Sequence, residues 1–68
     1  MPKVDSSAID FVEYVEATGA LLVVFHNDDQ TYEYPGVPRE LYARMLSAES
    51  VGKFFNAYIR RQYSARVV

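Results

Sequence analysis

Ser50-Val51-Gly52-Lys53 puts a hydroxyl, a glycine and a lysine within four consecutive positions. At a helix start such a run favours anions, because the first backbone N–H groups there have no partner within the helix. It lacks the leading glycine and the following Ser/Thr of a nucleotide phosphate loop. It therefore reads either as a simple anion-binding helix start (Ser50, Gly52, Lys53) or as a helix capped by Ser50 with an exposed lysine. Tyr32-Glu33-Tyr34 places two rings on one side of an extended strand. Such a pair can stack on bases or grip a partner, or it can close a core beneath a helix. Lys53, Arg60 and Arg61, with Arg44 upstream, form a basic stripe. Phosphate contacts need such charges and little else, and a solvated helix face has the same composition.

A catalytic set is harder to assemble. His26 is the single histidine and sits beside Asn27 and Asp28 in a turn. With no second histidine and no cysteine, a metal site would have to be built from carboxylates alone. Asp28 and Asp29 are adjacent, and one small sheet offers little concavity to hold an acid pair. We expect no catalytic residue, no metal and no cofactor.

The elements that must position these residues follow from the pattern along the chain. Residues 1–7 read as a loose lead-in. Ile9 to Val15 is rich in residues that suit a pleated surface, and Glu16-Ala17-Thr18-Gly19 supplies a turn. From Ala20 to His26, Leu21, Val23 and Phe25 alternate with Leu22 and Val24, so both faces are apolar and the strand is expected at the centre of a sheet. Asn27-Asp28-Asp29 is the next turn, and Gln30 to Tyr34 the third strand. Pro35-Gly36-Val37-Pro38 stops the sheet, with Pro38 suited to the first position of a helix. That helix should end near Glu49, with Leu41, Tyr42, Met45, Leu46 and Ala48 on its apolar face. A second helix begins at Ser50, with Val51, Phe54, Phe55, Tyr58, Ile59 and Tyr63 inward. Lys53 and Arg60, two turns apart, point away from that face, with Asn56 beside them. Residues 64–68 read as a frayed tail. The predicted fold is α+β, a three-stranded antiparallel β-meander followed by two α-helices packed on one face.

Sixty-eight residues allow one domain, 1–68, and half of them are apolar. A domain of this size buries only about 60% of the surface its unfolded chain exposes, which makes dimerisation a useful source of stability. Without cysteine there are no disulfides, and the cytoplasm is the expected compartment. The N-terminus has no apolar run of signal-peptide length, and the longest apolar stretch, Ala20 to Phe25, is too short to span a bilayer. The net charge of −2 hides an asymmetry. Residues 1–34 carry one lysine and seven acids, whereas residues 35–68 carry six bases and two acids. Such a split marks either a basic binding face or two halves that complement each other within the fold or across a dimer.

Several short motifs recur in order along the chain. They are Ser6-Ser7-Ala8-Ile9 with Val12 and Tyr14, Leu21-x-Val23-x-Phe25, Tyr32-x-Tyr34, Val37-Pro38, Ala48-x-Ser50-x-Gly52 and Phe55-Asn56-x-x-Ile59-Arg60-x-x-Tyr63. Together they resemble the KTSC domain, from Ser6 to Tyr63. One departure is the second hairpin, where Asn27-Asp28-Asp29 stands in place of the family's usual glycine. That family is named for its place at the C-terminus of some lysyl-tRNA synthetases and also occurs as small bacterial and phage proteins. The resemblance implies an accessory module for RNA. Tyr32 and Tyr34 match its central motif, Ser50 and Gly52 the motif between its helices, and Asn56 and Arg60 its last. Two functions follow. One is a non-catalytic module that binds RNA or another nucleic acid through Tyr32, Tyr34, Arg44, Lys53, Asn56, Arg60 and Arg61. The other is a protein-interaction or homodimerisation module, suited by the two-faced apolar strand and the opposed charges. Neither involves a membrane or a small-molecule cofactor.

Overall fold

The apolar alternation of the first half becomes an antiparallel sheet, and the helical periodicity of the second half covers one side of it. The computed structural model describes residues 8–26 and 28–68. The expected lead-in over 1–7, with Ser6, Ser7 and Asn27 of the motifs, lies outside them. The elements are β1 (Ile9–Val15), β2 (Ala20–Phe25), β3 (Thr31–Tyr34), α1 (Arg39–Leu46), α2 (Val51–Phe55), a π-helical segment (Asn56–Arg60) and β4 (Arg66–Val67). The strand order is β1-β2-β3-β4, all antiparallel. β2 is internal, as its two apolar faces require.

The register explains which residues enter the core. Val12 faces Val23, which faces Tyr32, and Tyr14 faces Leu21, which faces Tyr34. A bulge between Ile9 and Phe11 shifts the pairing, so that Ile9 lies opposite Phe25 and Phe11 opposite Val24. An extra residue reverses the side on which the following side chains emerge. Ile9 and Val12, three apart, are therefore both fully buried. Helical Met45, Val51, Phe55 and Ile59 complete the core over this face. Edge-on aromatic contacts bind the layers, Phe55 meeting Phe25 at 5.7 Å and Tyr34 at 5.2 Å. The other sheet face carries Phe11, Leu22 and Val24 beside Thr31 and Glu33, and none of these joins the packed core.

Val37 ties the sheet to the helices. Its N–H donates to the Gly19 carbonyl at 2.9 Å, and its carbonyl accepts from the Tyr14 hydroxyl at 2.6 Å. Gly19 sits at φ +72, a backbone region that a side chain strains, so the first hairpin needs glycine to offer that carbonyl.

The structure differs from the sequence expectations in four places. Pro38 is the N-cap of α1 and not its first residue, and its carbonyl accepts from Leu41 N. α1 stops at Leu46 because the Ser47 hydroxyl donates to the Arg44 carbonyl, a local bond that competes with the helix; Leu46 is 41% exposed. The second helix is α-helical only to Phe55 and then widens into the π-helical segment. Within the tail expected to fray over 64–68, Arg66–Val67 instead forms a fourth strand. Glu33 faces Arg66, Tyr32 faces Val67, and Val68 N donates to the Thr31 carbonyl at 3.0 Å. The physical reason is the free edge of β3, whose unpaired backbone groups any returning chain can satisfy.

Candidate functional site

α2 and the π-helical segment carry most of the residues expected to bind. Their inward stripe is Val51, Gly52, Phe55 and Ile59, all buried. Lys53, Asn56, Ala57, Arg60 and Arg61 recur at helical spacing on the outward side, and all are exposed. Lys53, Asn56, Ala57 and Arg61 surround one shallow depression, and Asn56, Arg60 and Arg61 surround the next. Asn56 and Arg61 belong to both, so the strip is continuous. Arg60 Nη1 donates to Asn56 Oδ1 at 3.4 Å. Among the described residues, no acid pairs with Lys53, Arg60 or Arg61; the ion pairs are Arg39–Glu16 and Arg66–Glu33, and the His26 ring lies 4.0 Å from Asp10.

Arg44 joins this surface through aromatic rings. Its guanidinium lies 5.8 Å from the centre of the Phe54 ring, which in turn packs on Tyr58 at 4.7 Å. Tyr58 is 47% exposed, although it was expected on the inward face, whereas Phe54 is half-buried and packs against the core as expected. Six apolar positions are too many for one inward stripe: Val51, Phe55 and Ile59 fill it, Phe54 and Tyr63 pack at its edge, and Tyr58 is left outside. Tyr58 is thus an exposed ring beside the cations that the sequence reading missed. Its spacing four residues after Phe54, off the Val51-Phe55-Ile59 series, was the available signal.

The Tyr-x-Tyr pair turns inward. Tyr34 is 4% exposed, with its ring edge-on to Phe55, so it cannot stack on a base. Tyr32 is half-buried against Phe25 and its hydroxyl donates to Asp28 Oδ2 at 2.9 Å. That bond, with desolvation and the Asp28 charge, raises the Tyr32 pKa. Burial raises that of Tyr34, and the nearby Arg60 charge opposes the rise. Burial also raises that of Tyr42, with Glu13 adding to it.

At the helix start of Ser50, Gly52 and Lys53, the structure shows the capped arrangement. The Ser50 hydroxyl accepts from Lys53 N at 3.2 Å as an N-cap, Gly52 is buried, and α2 itself is only five residues long. Capping accounts for Ser50, and Lys53 belongs to the strip. His26 is exposed beside Asp10. Among the described residues, no group of three or more histidines or acids is gathered for a metal, and no helix is long and apolar enough to cross a membrane.

An antiparallel sheet of four strands with two helices on one face, and a cationic strip along the second, defines a small α+β domain. The KTSC domain family model matches residues 5–63, and the chain belongs to that family. A protein of Tsukamurella paurometabola is 37% identical over 65 residues, covering 96% of each chain. The crystal structure of a KTSC domain protein from Yersinia pestis superposes with a TM-score of 0.91 at 31% identity, covering 98% of this chain and 93% of that one.

Proposed function

We propose that this KTSC domain is a non-catalytic, cytoplasmic accessory module that binds RNA or another nucleic acid along α2 and the π-helical segment. Lys53, Arg60 and Arg61 hold successive phosphates, Asn56 adds a polar contact between them, and Arg44 extends the positive surface to one side. Tyr58, not Tyr32 or Tyr34, is the ring available to stack on a base. The observation that carries this reading is the contiguous run of exposed cations with no acid partner among the described residues.

The test is a salt-titrated binding assay with labelled tRNA and a single-stranded oligonucleotide. Affinity should fall steadily with salt, with a slope of about 0.7 per phosphate contact on a single strand. Lys53→Glu combined with Arg60→Glu should abolish binding without unfolding the domain. Unchanged affinity in that variant would sink the strip.

A second reading, self-association or a protein partner, is favoured by the sheet face that the helices do not cover. Phe11, Leu22 and Val24 are its apolar members. A concentration-dependent dimer in sedimentation equilibrium, broken by Leu22→Lys, would favour that alternative over nucleic acid.

A further inference from the structure

A cleft beside the strip holds one polar group, the Tyr34 hydroxyl, that neither the core nor phosphate contacts along the helix explain, and it borders Arg60 of the strip. It is lined by Phe25, Asp28, Tyr32, Tyr34, Arg60 and Ala65 and measures about 320 Å³, at the small end for ligand pockets. Ala65 closes one side of it because the chain returns from the π-helical segment to pair β4 with β3.

Tyr34 is almost wholly buried, yet its hydroxyl has no hydrogen-bond partner among the described residues. Among the described residues, no polar side-chain atom sealed from solvent lacks a partner, so this oxygen opens into the cleft. Burial keeps the phenol protonated, so it presents a donor there. Arg60 lines the same cleft as that phenol, and among the described residues its side chain makes one hydrogen bond, a long one to Asn56. Most of its five N–H donors are free. Asp28 differs. Its Oδ1 accepts from Gln30 N and its Oδ2 from the Tyr32 hydroxyl, both at 2.9 Å. It repels an anion from its own side and directs one toward Arg60. Phe25 and Ala65 add apolar wall.

We propose that this cleft binds a small oxyanion, a carboxylate or a phosphate monoester, carried on a flat apolar body. The anion takes the Arg60 guanidinium fork and the Tyr34 hydroxyl, and the body lies against Phe25. This site does not rest on the nucleic-acid reading, although Arg60 serves both.

The experiment is an amide-resolved NMR titration of the whole chain with benzoate, phenyl phosphate and inorganic phosphate. Benzoate or phenyl phosphate should shift the amides of Tyr32, Tyr34, Arg60 and Ala65 saturably, and the stronger of the two tells carboxylate from phosphate. Inorganic phosphate, which has no body, should bind more weakly. Tyr34→Phe removes only an unpaired oxygen and should weaken the better probe about tenfold. Arg60→Gln, at an exposed position, should abolish its binding and decides the matter should Tyr34→Phe not fold. Lys53→Glu should weaken the oligonucleotide and leave the probes unchanged, which separates failure of the strip from failure of the cleft. No saturable shift with either aromatic probe, or equal affinity in the wild type and Arg60→Gln, would overturn the proposal.

Discussion

Two clefts in this domain are built from similar parts and end up in different states. The first is lined by Glu13, Tyr14, Glu16, Arg39, Tyr42, Ala43 and Leu46, and the second holds Asp28, Tyr32, Tyr34 and Arg60. Each has two tyrosines, one arginine and acid. In the first, the Tyr14 hydroxyl donates to the Val37 carbonyl, Arg39 pairs with Glu16 at 2.9 Å, and the Tyr14 and Tyr42 rings stack at 5.3 Å. In the second, the acid is engaged by Tyr32 and Gln30, and among the described residues Arg60 has no acid and the Tyr34 hydroxyl no partner. Composition does not separate a structural cluster from a binding one. What distinguishes these two is burial of the hydroxyl left over. Among the described residues neither Tyr34 nor Tyr42 has a hydrogen-bond partner for its hydroxyl, but Tyr34 is almost wholly buried and Tyr42 only half-buried, and folding tends to satisfy what it buries.

The largest effect should come from beneath the second cleft. Phe55 is 1% exposed and touches both Phe25 and Tyr34, so Phe55→Ala should cost about 3–5 kcal/mol. In a domain this small that removes most of the stability, and circular dichroism should report a largely unfolded chain. Next, the hydroxyls of the two clefts should part company. Tyr14→Phe leaves the Val37 carbonyl without its partner and should cost about 1–2 kcal/mol in urea unfolding. Tyr34→Phe should change stability by less than about 0.5 kcal/mol. Equal losses in the two variants would erase the distinction between the clefts.

Alkaline pH sharpens the comparison further. Tyr34 and Tyr42 have folded pKa values above the ordinary 10, so the folded state holds their protons more tightly than the unfolded state. Their contribution is fully present below 10 and is lost as pH rises through the folded values. The urea midpoint should therefore fall above that pH, and less steeply in Tyr34→Phe and in Tyr42→Phe. A wild-type slope kept in both variants would contradict it. The smallest effect belongs to Arg39→Ala. Its pair with Glu16 is largely exposed and should contribute less than about 0.5 kcal/mol, with the difference disappearing at high salt.

Much of this was legible in the chain. The alternation of Leu21 to Phe25 places β2 inside a sheet, Ser50 announces the cap it makes, and Val51, Phe55 and Ile59 are spaced to face inward. The basic stripe was readable from the spacing of Lys53, Asn56, Arg60 and Arg61. The role first open to Tyr32 and Tyr34 was not settled there, because strand alternation says that two rings share a face and not which layer covers it. Tyr58 escaped for the converse reason. An aromatic at helical spacing looks like core until the stripe beside it proves wide enough without it.

What the sequence by itself determined is local: which segments extend or coil, where they stop, and which side of each is apolar. Those properties follow from period, capping and turn chemistry within a few residues. What only the tertiary structure decided is which donors found partners across the fold. Arg66 and Val67 gained a strand because β3 offered a free edge, and that return closed the cleft at Tyr34 and Arg60. Partnering between distant residues depends on register and packing, which no short window of sequence contains.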